Sequence, residues 1–126
     1  AIVARVLAKD PQAPLDLVVV GGGAGGLELL LAMQFRLGTL LRAGGRDPGE
    51  VRYKLVNRGA RLLAQHNDGV RRIFGRILEE RGVEVLHGKE VVDSEDGPEG
   101  GVLVCADGAR VAYGECVWCT AAAAQP

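Results

Sequence analysis

Six small residues, Gly21 to Gly26 with Ala24 as the non-glycine, stand between a valine-rich run and a long apolar stretch. The run before them, Leu15 to Val20, is short and apolar, which is typical of a strand buried on both faces of a parallel sheet. The stretch after them, Leu27 to about Leu41, is apolar almost all round, as in a helix packed tightly on a sheet. This order of strand, glycine loop and helix predicts an α/β fold.

The loop contains the pattern G-x-G-x-x-G at positions 21, 23 and 26. Gly21 allows a tight turn, Gly23 has no Cβ to block a pyrophosphate, and Gly26 lets the helix lie close to the strand. The following helix N-terminus offers unpaired N–H groups and a positive dipole end to phosphates. A dinucleotide is therefore the predicted ligand, and the alternative is a glycine-rich turn that only packs well. The predicted contact residues are Gly21, Gly22, Gly23, Ala24, Gly25 and Gly26.

The rest of the chain predicts a Rossmann-like β-α-β-α-β parallel sheet with an inserted small antiparallel β-meander. A weakly patterned lead-in segment, residues 1–14, is predicted to contain a short helix. Residues 15–126 are expected to form the nucleotide-binding domain and to be excised from a larger chain. An amphipathic helix begins near a cap at Asn67 or Asp68 and ends before Gly82. The other predicted strands are Val51 to Val56, Val83 to Leu86, Glu90 to Val92, Gly101 to Cys105, Arg110 to Tyr113 and Glu115 to Cys119.

The end of the second strand normally carries an acid that accepts hydrogen bonds from the adenosine ribose. That position is Asn57 here, followed by Arg58 and, three residues later, Arg61. Asparagine does not repel a 2′-phosphate and the arginines could pair with one, which favours NADP over NAD, unless they are ordinary surface charges. The wide spacing from Gly26 to Asn57 also predicts an extended first helix and an enlarged return loop.

Composition excludes several classes of protein. A net charge of −1 and a pI of about 6.2 give no basic field for nucleic acid or an anionic membrane. One serine and two threonines leave a Ser/His/Asp hydrolase almost no candidates. No apolar stretch is long enough to cross a bilayer, and an odd number of cysteines fits a reducing compartment, so a cytoplasmic location is expected.

Cys116 and Cys119 form a C-x-x-C pattern, but residues three apart in a strand point to opposite faces. They are therefore predicted to pack as free thiols and not to form a redox pair. No spacing of cysteine and histidine predicts a metal site, His66 and His87 are expected to be surface residues, and Trp118 is expected in the core.

Five segments together resemble the NAD(P)-binding domain of the pyridine nucleotide-disulfide oxidoreductase flavoproteins. They are VVVGGGAGGLEL (Val18 to Leu29), KLVNRGARLL (Lys54 to Leu63), ILEERGVEVLHGKEVV (Ile77 to Val92), ADG (Ala106 to Gly108) and ECVWCTAAAAQP (Glu115 to Pro126). The likeness covers nearly the whole chain after Pro14. It is greatest for the branch around type II NADH dehydrogenases, and the long first helix is similar to that of the flavoprotein module fused to some selenide, water dikinases.

The resemblance implies a domain that is inserted into an FAD domain, binds NAD(P)H at the glycine loop and presents the nicotinamide to the flavin. It places Glu28 near the nicotinamide; the alternative is that Glu28 stabilises the helix dipole from the first helical turn. The family's closing A-T-G pattern corresponds to Cys119-Thr120-Ala121, so Thr120 and Ala121 are implied cofactor contacts. Alanine at 121 replaces a glycine where the backbone passes close to the cofactors.

Three functions follow from these features. The first is NAD(P)H binding for a flavin held by the FAD domain of the same parent chain. The second is FAD binding by this domain itself, which Asn57 disfavours because such sites depend on an acid there. The third is a non-catalytic module that senses NAD(P)H or supports a fused partner enzyme, which Ala121 favours. Membrane association of the parent, its electron acceptor and its reaction stay open.

Overall fold

The computed structural model describes residues 2–8, 15–21, 23–59, 67–97 and 100–119. Its helices are α1 (Ile2–Ala8), α2 (Ala24–Ala43) and α3 (Asp68–Glu80), with a single 3-10 turn at Pro48–Glu50. Its strands are β1 (Leu15–Val20), β2 (Val51–Val56), β3 (Glu84–Leu86), β4 (Val91–Gly97), β5 (Gly100–Cys105), β6 (Arg110–Tyr113) and β7 (Glu115–Trp118). The predicted α/β class, with its β-α-β-α-β order and its meander, is confirmed.

The main sheet is parallel and has the strand order β3-β2-β1-β7. Helices α2 and α3 make the two connections β1 to β2 and β2 to β3, as short parallel strands require. The last strand, β7, returns to the other side of β1, where Leu17 lies beside Glu115 and Val20 beside Trp118. The sheet therefore grows in two directions from β1.

Alternate residues of β1 belong to two separate apolar clusters, one on each face of the main sheet. Leu17 and Val19 pack with helical residues such as Leu30 and Leu41, all fully buried. Val18 and Val20 pack on the other face against residues of the small sheet, including Leu103. The molecule thus has three layers: helices, parallel sheet and antiparallel sheet. This arrangement explains the uninterrupted apolar run of β1, because both of its faces are covered.

The small sheet has the order β4-β5-β6 and takes the place of a helix in the connection from β3 to β7. Strand β4 is longer than the predicted Glu90 to Val92, because its acidic second half also pairs with β5. That half is exposed at a sheet edge, so it needs no apolar alternation. Two side chains of β6 contact carboxylates in this half of β4. Arg110 pairs with Glu95 at 2.7 Å, and the Tyr113 hydroxyl donates to Asp96.

Helix α1 confirms the short helix predicted in the lead-in segment, and it is attached to the rest of the fold. Val6 is buried in the helix-side cluster. The guanidinium of Arg5 donates twice to the carboxylate of Glu115 on β7, at 2.9 Å each. Arg46 donates to the backbone oxygen of Leu7 and to Glu50, which joins α1 to the loop after α2. The segment before the glycine loop therefore contributes to the same core.

Candidate nucleotide-binding site

The carboxyl ends of β1 and β7 meet where the connections of the sheet change direction. From β1 the chain runs to β2 and β3 on one side, and it returns through β7 on the other. Such a switch point leaves a crevice outside the strand ends, and ligands of open α/β sheets bind there. The glycine loop follows β1 directly and therefore lines this crevice.

The described glycines of the loop have different surroundings, as their predicted roles require. Gly21 has a φ of 129°, which L side chains rarely adopt, and its N–H donates to the oxygen of Val56 at 2.9 Å. A Cβ at Gly26 would lie 2.0 Å from the oxygen of Gly21 and 3.6 Å from the Cβ of Cys119. A Cβ at Gly23 or Gly25 would meet no atom within 4 Å. Gly26 thus permits close packing, whereas Gly23 and Gly25 border open space.

Helix α2 begins at Ala24, three residues before the predicted start at Leu27. Its N-cap is Gly23, in extended conformation, and no side chain caps the helix. The first intrahelical bond runs from the Leu27 N–H to the Gly23 oxygen, at 3.1 Å. The N–H groups of residues 24–26 precede that bond and point toward the crevice end of the helix, where an anion is favoured.

The earlier start of α2 changes the position of Glu28. The first turn of the helix contains no acidic residue, and Glu28 lies in the second turn, exposed. The interpretation of Glu28 as a first-turn partner of the helix dipole is therefore wrong, because that effect falls off beyond the first turn. Its predicted place near a nicotinamide stays a prediction.

Asn57 is the buried polar residue at the carboxyl end of β2, with 6% of its surface exposed. Its backbone N–H donates to Leu86 at 2.8 Å and its oxygen accepts from the Lys89 N–H at 3.0 Å. Its side-chain Nδ2 lies 3.1 Å from Nδ1 of His87 and donates to it when that nitrogen carries no proton. The amide is thus oriented by the turn after β3.

Arg58 follows Asn57 at the same edge and is exposed. Its Nη2 lies 3.5 Å from the carboxylate of Glu90, which is about half exposed. A carboxylate so close to the guanidinium reduces the positive field that a 2′-phosphate would meet. Neither Glu90 nor His87 was predicted to act at this edge, because both come from the turn after β3, about thirty residues further along the chain than Asn57 and Arg58.

The cysteines confirm the expectation of free thiols. Cys116 packs in the meander-side cluster and Cys119 in the helix-side cluster, on opposite faces of the main sheet. Burial raises the pKa of Cys116 to about 11 and also raises that of Cys119. Both therefore stay protonated and unreactive at neutral pH. Within the described residues, no group of histidine, cysteine and carboxylate side chains could hold a metal ion.

Trp118 is 46% exposed, so its predicted place in the core is wrong. It is the last residue of β7 and lies beside Val20, the last residue of β1, at the carboxyl end of both strands. His87 is exposed, as predicted. The predicted site residues Gly22, Arg61, Thr120 and Ala121, like His66, lie outside the described residues.

The fold and the position of the loop define the class of protein: an α/β domain of the Rossmann type with a glycine loop at its switch point. A family described as pyridine nucleotide-disulphide oxidoreductase matches residues 4–125. The chain belongs to this family, whose proteins are flavoprotein oxidoreductases. The resemblance to this family is thereby confirmed, and its finer placement near type II NADH dehydrogenases stays a prediction.

Solved structures of similar fold agree with this assignment. LpdA from Mycobacterium tuberculosis matches 84% of this chain with a TM-score of 0.65 and 20% identity. The water-forming NADH oxidase from Lactobacillus brevis, bound to NADH, matches 90% with a TM-score of 0.62 and 17% identity. Putidaredoxin reductase, in its covalent complex with putidaredoxin, matches 84% with a TM-score of 0.63 and 24% identity.

The chain spans only 20%, 22% and 23% of the length of these three structures. Their similarity therefore concerns the fold of one part of each protein. In the described part of this chain, no helix combines the length and the apolar character that crossing a membrane requires.

Proposed function

We propose that this chain is the NAD(P)H-binding domain of a flavin-dependent oxidoreductase, and that it presents the nicotinamide to a flavin held by another domain of the parent protein. The observation that carries this proposal is the glycine loop at the switch point of the sheet, next to an Asn57 that replaces the acid on which FAD sites depend. Members of the family use FAD and NAD(P)H, and one of the similar structures holds NADH.

The residues of the loop fit a pyrophosphate. The free space beside Gly23 and Gly25 lets an anion approach the backbone. The uncapped N–H groups of α2 can donate to its oxygens, and the helix dipole favours negative charge there. The domain's task is binding and orientation, because the bound nicotinamide itself supplies the hydride.

The adenosine half of the ligand is assigned to the end of β2. Asn57 is held by His87 and by the backbone of β3. Its side-chain amide would form one hydrogen bond with the ribose. Arg58, and Arg61 beyond the described residues, would pair with a 2′-phosphate if the ligand is NADPH. By the family resemblance alone, Glu28 is assigned to the nicotinamide half, and Thr120 and Ala121 are assigned as backbone contacts of the cofactors.

The chain contains one tryptophan, Trp118, and it lies at the edge of the crevice. NADH or NADPH bound at the loop should therefore quench the fluorescence of Trp118. The bound cofactor should in turn show fluorescence that is sensitised by energy transfer from Trp118. Titration of the purified chain with each cofactor measures binding directly.

Two variants separate specific binding from other losses. Gly23→Val should abolish the cofactor signal and leave the circular dichroism spectrum intact, because an added Cβ has no atom of the described residues within 4 Å and would block the approach of the pyrophosphate. Gly75→Val is the matched control: its added side chain is also unobstructed, but it lies in α3 away from the loop. A Gly23→Val protein that binds as well as Gly75→Val would contradict the assignment.

The purified chain should also be colourless and should not oxidise NAD(P)H with any acceptor, because the flavin belongs to another domain of the parent protein. A yellow protein that releases flavin on denaturation and ignores NADPH would favour FAD binding by this domain.

A further inference from the structure

A cavity of about 560 Å³ opens at the amino-terminal edge of the parallel sheet, opposite the glycine loop. Its walls come from the second half of α2, the start of β2 and the turn after α3. The strands between the two edges have six residues, so about 20 Å separates this cavity from the nucleotide crevice. The side chains that bear on its chemistry are Gln34, Phe35, Arg42, Arg52, Tyr53 and Arg81.

Among the residues that the structure describes, the charged side chains that line the cavity are three arginines. Arg52 donates to Asp16 at 2.7 Å, so its charge is partly compensated. Arg42 and Arg81 have no carboxylate partner among the residues that the structure describes. The guanidinium of Arg42 lies against Gly38, where a Cβ would be 3.4 Å from Nη2. Both arginines are exposed, and within the described ranges neither guanidinium charge is compensated by a carboxylate.

Tyr53 adds a neutral donor to the same wall. It is 5% exposed, and burial raises its pKa to about 12, so its hydroxyl keeps its proton at physiological pH. That hydroxyl has no hydrogen-bond partner within the described ranges. The amide of Gln34 donates from Nε2 to the Arg81 oxygen at 2.9 Å, and its Oε1 is a buried acceptor. The other polar side chains that line the cavity carry donors, and no carboxylate of the described residues lines it.

We propose that this cavity binds a phosphate group, either as free phosphate or as the phosphate monoester of a small metabolite. A phosphate dianion carries two charges, which match the two uncompensated guanidiniums, and arginine forks suit its oxygens. The volume falls within the range of small-molecule sites. Phe35, with 69% of its surface exposed at the rim, offers an aromatic face to the remainder of a monoester. The site is independent of the nucleotide crevice.

Amide spectra of the ¹⁵N-labelled chain can distinguish the two sites within one titration. Gly38, Gly49 and Gly82 line the cavity, whereas Gly23, Gly25 and Gly26 belong to the loop. Inorganic phosphate and AMP are titrated separately at constant ionic strength, with sodium chloride as compensating salt. Saturable shifts of Gly38, Gly49 and Gly82 are expected with phosphate, with AMP or with both, and the more tightly bound probe identifies the source of the phosphate group.

The variant Arg42→Gln/Arg81→Gln should weaken this binding by about tenfold or more, because both charge-assisted donors are lost. Arg72→Gln/Arg76→Gln removes the same charge from exposed positions of α3 outside the cavity and should change the affinity less than about twofold. The amide spectrum of each variant also reports whether it folds.

Absence of saturable shifts at the three cavity glycines with both probes would overturn the proposal. Equal weakening by the two double variants would also overturn it, because it would indicate general charge attraction. Either result leaves the NAD(P)H titration of the loop unaffected, so failure here is distinguishable from failure of the proposed function.

Discussion

Two glycines of one loop are required for opposite reasons. Gly23 borders open space where a ligand would approach, and Gly26 lies against the backbone of Gly21. In the proposed function the first glycine serves binding, whereas the second serves the stability of the fold. The motif therefore contains both functional and structural positions, which mutagenesis can separate.

Gly26→Ala should lower the free energy of unfolding by about 3 kcal/mol, because a Cβ 2.0 Å from a backbone oxygen forces α2 away from β1. Urea denaturation followed by circular dichroism measures the change. Gly23→Ala is the control and should unfold within about 0.5 kcal/mol of the original chain. Equal stability of the two variants would show that the helix does not approach the strand so closely.

Arg58→Ala tests the preference between cofactors. It should weaken NADPH binding by roughly tenfold and leave NADH binding nearly unchanged, because only NADPH carries a 2′-phosphate. Glu90→Gln should have the opposite effect on NADPH, since it removes the carboxylate that lies 3.5 Å from the Arg58 guanidinium. Equal effects of Arg58→Ala on both cofactors, or no effect on either, would exclude a role in 2′-phosphate recognition.

At the scale of elements, the sequence predicts most clearly what is buried on both faces. The bounds of β1 and β2 were predicted to the residue, because apolar runs bounded by turn residues have few alternatives. The start of α2 was placed too late, since Ala24, Gly25 and Gly26 carry no helical periodicity. The acidic half of β4 was missed because an exposed edge strand needs no apolar alternation.

The glycine loop could be predicted because its residues are contiguous in the chain. The contacts around Asn57 and Arg58 could not, because His87 and Glu90 reach them only through the pairing of β2 with β3. The cavity at the amino-terminal edge was not predicted either, since its arginines, Arg42, Arg52 and Arg81, come from three separate parts of the chain. Trp118 was wrongly predicted in the core because a strand pattern does not show which residue at the end of the strand is exposed.

The positions of Cys116 within β7 and of Cys119 directly after it predict the chemistry of their thiols. Thiol titration of the unfolded protein under non-reducing conditions should find three free thiols per chain, as in the structure. In the folded protein, Cys116 should react slowly with a disulfide reagent, because burial raises its pKa to about 11. A count two thiols short would show that Cys116 and Cys119 do not lie on opposite faces.

At the scale of the whole molecule, a buried thiol and a buried phenol make the stability of the fold fall at alkaline pH. Burial raises the pKa of Cys116 from 9.0 to about 11 and that of Tyr53 from 10.0 to about 12. The unfolded chain releases these protons at lower pH than the folded chain. Stability is therefore fully present below pH 9.0 and is lost as the pH rises toward 12.

Urea midpoints measured across this range should fall steadily above pH 9.0. Cys116→Ala should flatten the lower part of the profile and Tyr53→Phe the upper part, whatever their effect on stability at neutral pH. Profiles parallel to that of the original chain would contradict the assignment of these two groups.

The pairing of β1 with β7 also affects the order in which the fold assembles during synthesis. Glu115, the neighbour of Leu17 on β7, is synthesised almost a hundred residues after it. Until then β1 presents an unpaired edge, and such edges promote association between nascent chains. Contacts so distant in sequence also form slowly. The crevice at the switch point is thus completed only when β7 has paired with β1, so a translation product truncated before β7 would have the glycine motif without a completed cleft around it.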